Sequence, residues 1–345
     1  MKKMLALLLA LVMVLSLAAC ASSQPAAAST ETAETTETTE PAAEESAEAP
    51  AESGKTYTVG VCQLVQHEAL DAATQGFIDA LKEELGDAVT VDVQNASGDS
   101  VNCGTIVNGF VSKGVDLIMA NATPALTAAV SATADIPILG TSITAYGVAL
   151  DIDDFNGTVG GNVSGTSDLA DLQAQAQMIL DWFPETKTVG LLFCSAEPNS
   201  RYQIDEVRKA LEAQGVTCEE FAFTDSNDVS SVTQKAADFS DVVYIPTDNT
   251  AASNTEAIAN VLIPAGVPAI CGEEGICRGC GVATLSISYY DLGVTTGKMA
   301  AKILKGEADI STMPVEYTDA TPKYNASVCE QLGITPLDGY EAIDG

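Results

Sequence analysis

From Lys55 onward, short apolar, β-rich runs alternate with longer stretches whose apolar residues recur at helical spacing. Tyr57–Leu64 is an apolar β-rich run and predicts a strand. Glu68–Leu85 brings Leu70, Phe77, Ile78, Leu81 and Leu85 near one face and predicts a helix. Val89–Val93 then reads as a strand, Val101–Ser112 as a helix and Val115–Ala120 as a buried strand. Thr123–Ala132 reads as a helix opened by Pro124, and Ile136–Thr141 as a strand. Strand–helix alternation of this kind implies a parallel sheet covered on both faces. The order then recurs: Thr188–Phe193 strand, Asn199–Gln214 helix, Val216–Phe223 strand, Val229–Phe239 helix, Asp241–Ile245 strand, Ala251–Ala265 helix, Val267–Cys271 strand. Landmarks match at offsets of about 130 residues, as Ala134-Asp135-Ile136-Pro137-Ile138 does Gly266-Val267-Pro268-Ala269-Ile270. The fold class is therefore α/β, with two similar doubly wound parallel-sheet lobes. The tail continues neither lobe simply. It reads as strand Ala283–Ser288, helix Tyr290–Lys305, strand Pro314–Tyr317 and short helix Ser327–Leu332. A chain that crosses back and returns makes a multi-strand hinge and a cleft. The expected lobes are 55–165 with 288–314, and 166–287 with 315–345.

The pattern before Lys55 is different. A basic start (Lys2, Lys3) precedes an apolar run from Leu5 to Leu17, which ends in Leu17-Ala18-Ala19-Cys20. That run is too short to span a bilayer well and has the flanks of an export signal. A signal with a small-small-Cys end resembles the lipobox of bacterial lipoproteins. The resemblance implies a signal peptide over 1–19, cleavage before Cys20 and lipidation of its sulfur. Residues 20–54 hold Ala, Ser, Thr, Pro and eight Glu, with no Lys or Arg. Such a segment cannot bury enough apolar surface to offset its ordering entropy, so a disordered acidic tether is expected. At this length it would span roughly 30 Å. The expected location is the extracytoplasmic face of the cell membrane, through a lipid anchor, which disfavours cytoplasmic enzymes and transcription factors.

Charge narrows the partners. Removing the eight tether Glu and Lys2 and Lys3 from 48 acids and 15 bases leaves 40 and 13, a net of −27 for the body. Nucleic-acid binding needs the opposite sign, and direct docking on anionic lipid is equally disfavoured.

Ligands of open α/β sheets sit beyond the carboxyl ends of the strands. The residues there are small and polar. In the first lobe they are Gln63, Leu64, Asn121, Thr123, Thr141 and Ser142. In the second they are Ser195, Asn199, Ser200, Thr247, Asp248 and Asn249, with Ser288 and Tyr289 in the hinge. Several of these loops open helices, whose free N–H groups suit a carboxylate. Asp248 is an acid that could pair with an ammonium. A carboxylate clamp plus an acid describes an amino-acid site, although helix capping alone would also explain each Ser, Thr or Asn. Tyr146, Tyr202, Tyr289 and Tyr290 are candidates for ring contact. Glu197, Glu273 and Glu274 read as solvated.

Other chemistry is sparse. His67 is the only histidine, and no Gly-x-Ser-x-Gly elbow is present for a hydrolase. No Gly-x-Gly-x-x-Gly follows a strand. Cys277-Arg278-Gly279-Cys280 is a Cys-x-x-Cys in a Cys-rich loop, with Cys271 as a third sulfur. It reads as a structural feature or a local disulfide, because a β-rich run follows it where a redox motif should open a helix. A zinc site would need a second such motif.

Gln63–Asp79 (QLVQHEALDAATQGFID), Glu197–Ser200 (EPNS), Tyr244–Thr250 (YIPTDNT) and Tyr289–Met299 (YYDLGVTTGKM) resemble the tryptophan/tyrosine-type substrate-binding lipoproteins of ABC importers. The resemblance runs in order through nearly all of Lys55–Leu332. It implies a type I periplasmic-binding-protein fold, two lobes closing over a small solute, and delivery to a membrane permease and its ATPase subunit. The implied cargo is an amino acid, possibly aromatic. It also implies a monomeric binding protein, no enzyme, with neither cofactor nor metal. Ser288 stands where many relatives carry Asp, which leaves Asp248 as the expected ammonium partner. The competing readings are an extracytoplasmic thiol–disulfide oxidoreductase using Cys277 and Cys280, and a binding protein for a sugar or nucleoside.

Overall fold

The computed structural model describes Lys55–Ile343, so the expected signal, Cys20 and the tether lie outside the described residues. In the first half the chain runs β1 (Tyr57–Gln63), α1 (Glu68–Leu85), β2 (Val89–Asn95), α2 (Ser100–Lys113), β3 (Leu117–Asn121), α3 (Thr123–Ala132), β4 (Ile138–Ile143), α4 (Tyr146–Ala149) and β5 (Val163–Ser167). It continues through α5 (Leu172–Trp182), β6 (Thr188–Cys194), α6 (Pro198–Glu212), β7 (Thr217–Phe223), α7 (Val229–Phe239), β8 (Val242–Ile245), α8 (Asn249–Ala252), α9 (Thr255–Ala265), β9 (Ala269–Cys271), α10 (Glu274–Cys280) and β10 (Ala283–Ser286). The tail is α11 (Tyr289–Lys305), β11 (Glu316–Tyr317), β12 (Thr321–Tyr324), α12 (Ala326–Leu332) and β13 (Glu341–Ala342).

Two sheets result. The first has the order β11-β5-β4-β3-β1-β2 and the second β13-β12-β10-β9-β8-β6-β7. Each contains the doubly wound 2-1-3-4-5 arrangement, whose switch point lies between the first and third strands. The ladders are parallel except where β12 returns antiparallel to β10. The central strands are buried on both faces, as in Leu117–Asn121, which is why they read as continuous apolar runs.

Three segments join the lobes. The first follows Ser167, because β5 stays paired with β4 to that residue. The second lies between Ser286 and Tyr289. The third follows Tyr317 rather than residue 314, because Glu316 and Tyr317 pair with Thr166 and Ser167 of the first sheet. The crossing helix α11 lies on α1 with almost no side-chain spacing. A Cβ added to Gly293 would come within 2.0 Å of the Ala73 carbonyl oxygen, and one on Gly76 within 2.1 Å of that of Tyr290. This close approach fixes the start of α1, which carries His67 and Glu68, against the hinge.

Two local expectations change. The helix expected over Ala251–Ala265 divides into α8 and α9, because the Asn254 amide turns back to the Thr250 carbonyl at 2.7 Å and ends the first turn. The Cys-rich stretch is no loop. Glu273 accepts N–H bonds from Gly275 at 2.7 Å and Ile276 at 2.5 Å, and so starts the α10 helix that carries Cys277 and Cys280.

Candidate functional site

The carboxyl ends of both sheets converge on a tightly closed pocket with about 10 Å³ of free space, room for roughly one water and far below the usual ligand-pocket range of roughly 300–1,000 Å³, so a solute enters only when the lobes part. The first lobe contributes His67 and Leu70 from the start of α1, Ser142 from the end of β4, and Thr144. Asp168 enters from the crossing after β5 and Tyr289 from the crossing into α11. The second lobe contributes Asn199, Thr247, Asp248, Asn249, Ala252 and Glu273. Among the described residues, no Lys or Arg lines it.

Asp168 is 5 % exposed and holds the Tyr289 hydroxyl on Oδ2 at 2.9 Å. Its Oδ1 has no hydrogen-bond partner. Burial holds its carboxyl above the ordinary Asp range, partly opposed by the Tyr289 and Thr144 hydroxyls and its own backbone N–H. Two other pocket residues also present unpartnered polar atoms, Asn199 through Oδ1 and Ser142 through Oγ. Ser142 takes φ 55°, a left-handed conformation unusual outside glycine, at the end of its strand. Buried polar atoms are normally paired, so three open ones around one pocket describe groups kept for a ligand. Two of them are acceptors suited to a cation.

The second-lobe wall is a hydrogen-bonded scaffold. Glu197, 4 % exposed, accepts from the Asn249 N–H at 3.0 Å, the Asn249 amide at 2.6 Å, the Thr250 N–H at 2.9 Å and the Thr250 hydroxyl at 2.8 Å. It thereby aims Asn249 across the cleft, where Oδ1 meets His67 Nε2 at 3.3 Å. A second link between the lobes joins Arg278 to Glu68 at 3.2 Å. Burial lowers the His67 pKa, against the opposing pull of Asn249. Burial also pushes Glu273 up to about 7 and raises Asp248, with the nearby Glu197 charge adding to the latter. Glu197 and Glu273, expected to be solvated, are therefore buried parts of the site wall. Neither is recognisable locally, since their burial comes from the opposing loops.

The expected residues divide cleanly. Ser142, Asn199, Thr247, Asp248, Asn249 and Tyr289 line the pocket. Asp248 does so with both oxygens engaged, Oδ1 by the Ala251 N–H at 2.8 Å and Oδ2 by the Cys194 N–H at 2.6 Å, as the cap of α8. The open carboxylate oxygen belongs instead to Asp168, which the sequence reading missed. Gln63 and Asn121 serve the first lobe: Gln63 accepts from Thr74 at 2.7 Å, and Asn121 donates to the same Thr74 hydroxyl at 2.9 Å. Thr141 joins a buried hydroxyl chain through Thr166, 3.1 Å away. Thr123 is buried at the start of α3. Ser200 lies buried behind Asn199, 3.3 Å from its amide. Leu64 lines a separate groove between the lobes. Ser195 is exposed and donates to the Phe223 carbonyl at 3.2 Å. Ser288 is an exposed cap of α11 that accepts from the Asp291 N–H at 3.2 Å.

Residues 58–339 match the family model described as ABC transporter substrate binding protein. The chain belongs to that family. A curated relative named tyrosine-binding protein, from Clostridioides difficile (strain R20291), is 33% identical over 276 residues, covering 78% of this chain and 79% of the relative. The solved ABC domain in complex with L-Trp from Streptococcus pneumonia is 32% identical over 84% of this chain and 100% of its own, with a TM-score of 0.79. A ligand-free, open substrate-binding protein with adhesive properties from Clostridium difficile has the same 32% identity, covers 84% of this chain and 99% of its own, and scores 0.64. These two lobes thus have the type I periplasmic-binding-protein fold. At equal identity and coverage, their arrangement is nearer to the L-Trp complex than to the open protein, in keeping with the enclosed pocket and the His67–Asn249 contact. In an ABC substrate-binding protein, closure of this kind is how both lobes contribute to holding a solute.

Proposed function

We propose that this substrate-binding protein captures an aromatic amino acid. The observation that carries the reading is Asp168, a buried carboxyl with an open oxygen in an enclosed pocket that no cationic side chain lines. An ammonium would be shared by Asp168 Oδ1 and Asn199 Oδ1, while the Ser142 hydroxyl can donate to a carboxylate. Leu70, Ala252 and the Tyr289 ring offer apolar contact to a side chain. The relatives named for tyrosine and solved with L-Trp support the same cargo. A sugar or nucleoside would leave the Asp168 charge without a counter-ion, which is costly in a buried site.

Thermal melting with a ligand series tests this. At about 100 times Kd, L-tryptophan or L-tyrosine should add about 2.7 kcal/mol, or roughly 5–10 °C for a domain pair of this size. Tryptamine should retain part of the shift and indole-3-propionate, which lacks the ammonium, none. A shift with sugars or nucleosides and none with amino acids would overturn the reading.

The protein is further proposed to be a non-catalytic monomer, anchored through lipidated Cys20 on the extracytoplasmic face and delivering cargo to a permease driven by an ATPase. An oxidoreductase would need to present a sulfur to its substrate in the folded state, whereas Cys277 and Cys280 are 0 % and 1 % exposed. Cys20→Ser is expected to move the protein from the membrane fraction to the soluble fraction in a cell fractionation. Full membrane retention of that variant would rule out the lipid anchor.

A further inference from the structure

The Cys-x-x-Cys takes no part in the pocket, yet its helix connects to both the pocket and the lobe seam. α10 turns both of its sulfurs into a dry compartment, and Cys271 at the end of β9 is buried at 0 % in the same cluster. A Cβ added to Gly281 would lie 2.3 Å from Cys271 Sγ and 3.0 Å from Cys277 Cα. The Cys271 sulfur therefore lies directly over the helical turn that begins at Cys277. The Cys277 and Cys280 sulfurs both stand beside that of Cys271, but Cys280 Sγ is engaged by the Ile276 carbonyl, to which it donates at 3.3 Å. The opposite side of the same short helix faces function. Its cap, Glu273, lines the pocket, and its Arg278 holds Glu68 of the other lobe at 3.2 Å.

We propose that Cys271 and Cys277 form a reversible disulfide, and that this covalent site weakens ligand capture when oxidised. Two thiols and one small-molecule disulfide give the Cys271–Cys277 bond and two small-molecule thiols. The protein loses two hydrogens and two electrons, and the reagent's S–S bond is the one reduced. Bonding requires the two sulfurs to approach to about 2.05 Å, well inside non-bonded contact. β9 and α10 must then shift relative to each other, and with α10 move the Glu273 cap and the Arg278–Glu68 pair. Access to the buried sulfurs comes through local opening of this one short helix. In the reduced state none of these thiols lines the pocket.

The full chain, purified reduced, would be incubated with glutathione disulfide, alkylated and digested with trypsin without reduction. Cleavage after Arg278 makes the result unambiguous. A Cys271–Cys277 bond stays within the peptide 236–278 and lowers its mass by two hydrogens, whereas any bond to Cys280 joins two peptides. The expected product is the internal bond, lost again on reduction. Affinity for L-tryptophan, by calorimetry, should fall about fivefold or more on oxidation, the usual minimum of an allosteric coupling, and recover with reductant. Cys277→Ser should bind like the reduced protein and ignore the oxidant. Complete alkylation of Cys271 and Cys277 after oxidation, or a bond to Cys280, would overturn the site. A mapped bond with unchanged affinity would overturn its regulatory role. The affinity arm rests on the amino-acid reading: if the reduced protein fails to bind L-tryptophan, that reading falls, while the peptide map still decides the disulfide.

Discussion

Asp168→Asn is expected to weaken L-tryptophan or L-tyrosine binding about thirtyfold or more with little effect on folding. Removing one member of a desolvated charge pair costs about 2–5 kcal/mol, and each 1.4 kcal/mol is about tenfold in affinity. Asp168 is suited to such a role because its Oδ1 is buried and unpartnered, while Oδ2 is held by Tyr289 at 2.9 Å. The substitution keeps size, and the new amide oxygen can still accept from Tyr289, so packing around it persists. It also removes a buried acid whose ionisation burial opposes, so the ligand-free fold should not suffer at neutral pH. Asp248→Asn is the informative partner. Asp248 caps α8 and accepts from the Cys194 and Ala251 N–H groups, so its loss should appear first as a lower melting temperature. Calorimetry on the two variants separates the roles. Near wild-type affinity in Asp168→Asn, with strong loss in Asp248→Asn, would return the ammonium to Asp248.

The ligand-free protein should lose stability as pH rises from about 6.5 to 8, and ligand should protect it increasingly over the same range. Glu273 has its folded pKa raised from 4.5 to about 7, with burial as the main cause. An acid so shifted contributes stability that is fully present below its ordinary value and is lost as pH rises through the folded value. For Glu273 alone the whole loss, spread from about pH 4.5 to pH 7, is about 3 kcal/mol, of which about 1 kcal/mol falls above pH 6.5. Asp168 and Asp248 are raised in the same direction. His67 acts oppositely: with its pKa lowered, it adds stability as pH rises to its ordinary value of about 6.5 and nothing beyond. Above that point the carboxyls dominate. An ammonium ligand supplies the missing positive charge, so its stabilising increment should grow from pH 6 to pH 8. Melting curves with and without L-tryptophan at those pH values test both statements. A flat or rising ligand-free melting temperature above pH 6.5 would contradict the buried-acid account. A shrinking ligand increment would contradict the cationic group.

What could be read along the chain was local. The period of the apolar residues identified Glu68–Leu85 as a helix with those same bounds, and placed ten of the thirteen strands to within two residues, while β5, β12 and β13 went unread because they are short or polar. The recurrence of one strand–helix order implied two lobes, and the strand-end rule brought Ser142, Asn199, Thr247, Asn249 and Tyr289 to the pocket. Such features depend on neighbours a few residues away, whose spacing the sequence states directly. The rest depended on contacts between distant segments. Gln63 and Asn121 sit at strand ends as expected, but Thr74 claims both, so they stabilise the first lobe instead of meeting solute. Asp168 follows a strand among polar residues and looks solvated; Tyr289, 121 positions later, closes over it and makes it the buried acid of the site. Glu197 becomes a scaffold only where Asn249 and Thr250 reach it. The same is true of the Cys-x-x-Cys, which became helical because the Glu273 side chain turned onto its first N–H groups. Sequence alone therefore determined the lobes and where a ligand should enter. Only the tertiary structure decided which side chains lose their water there, because burial of a charge is set by the segments that fold over it.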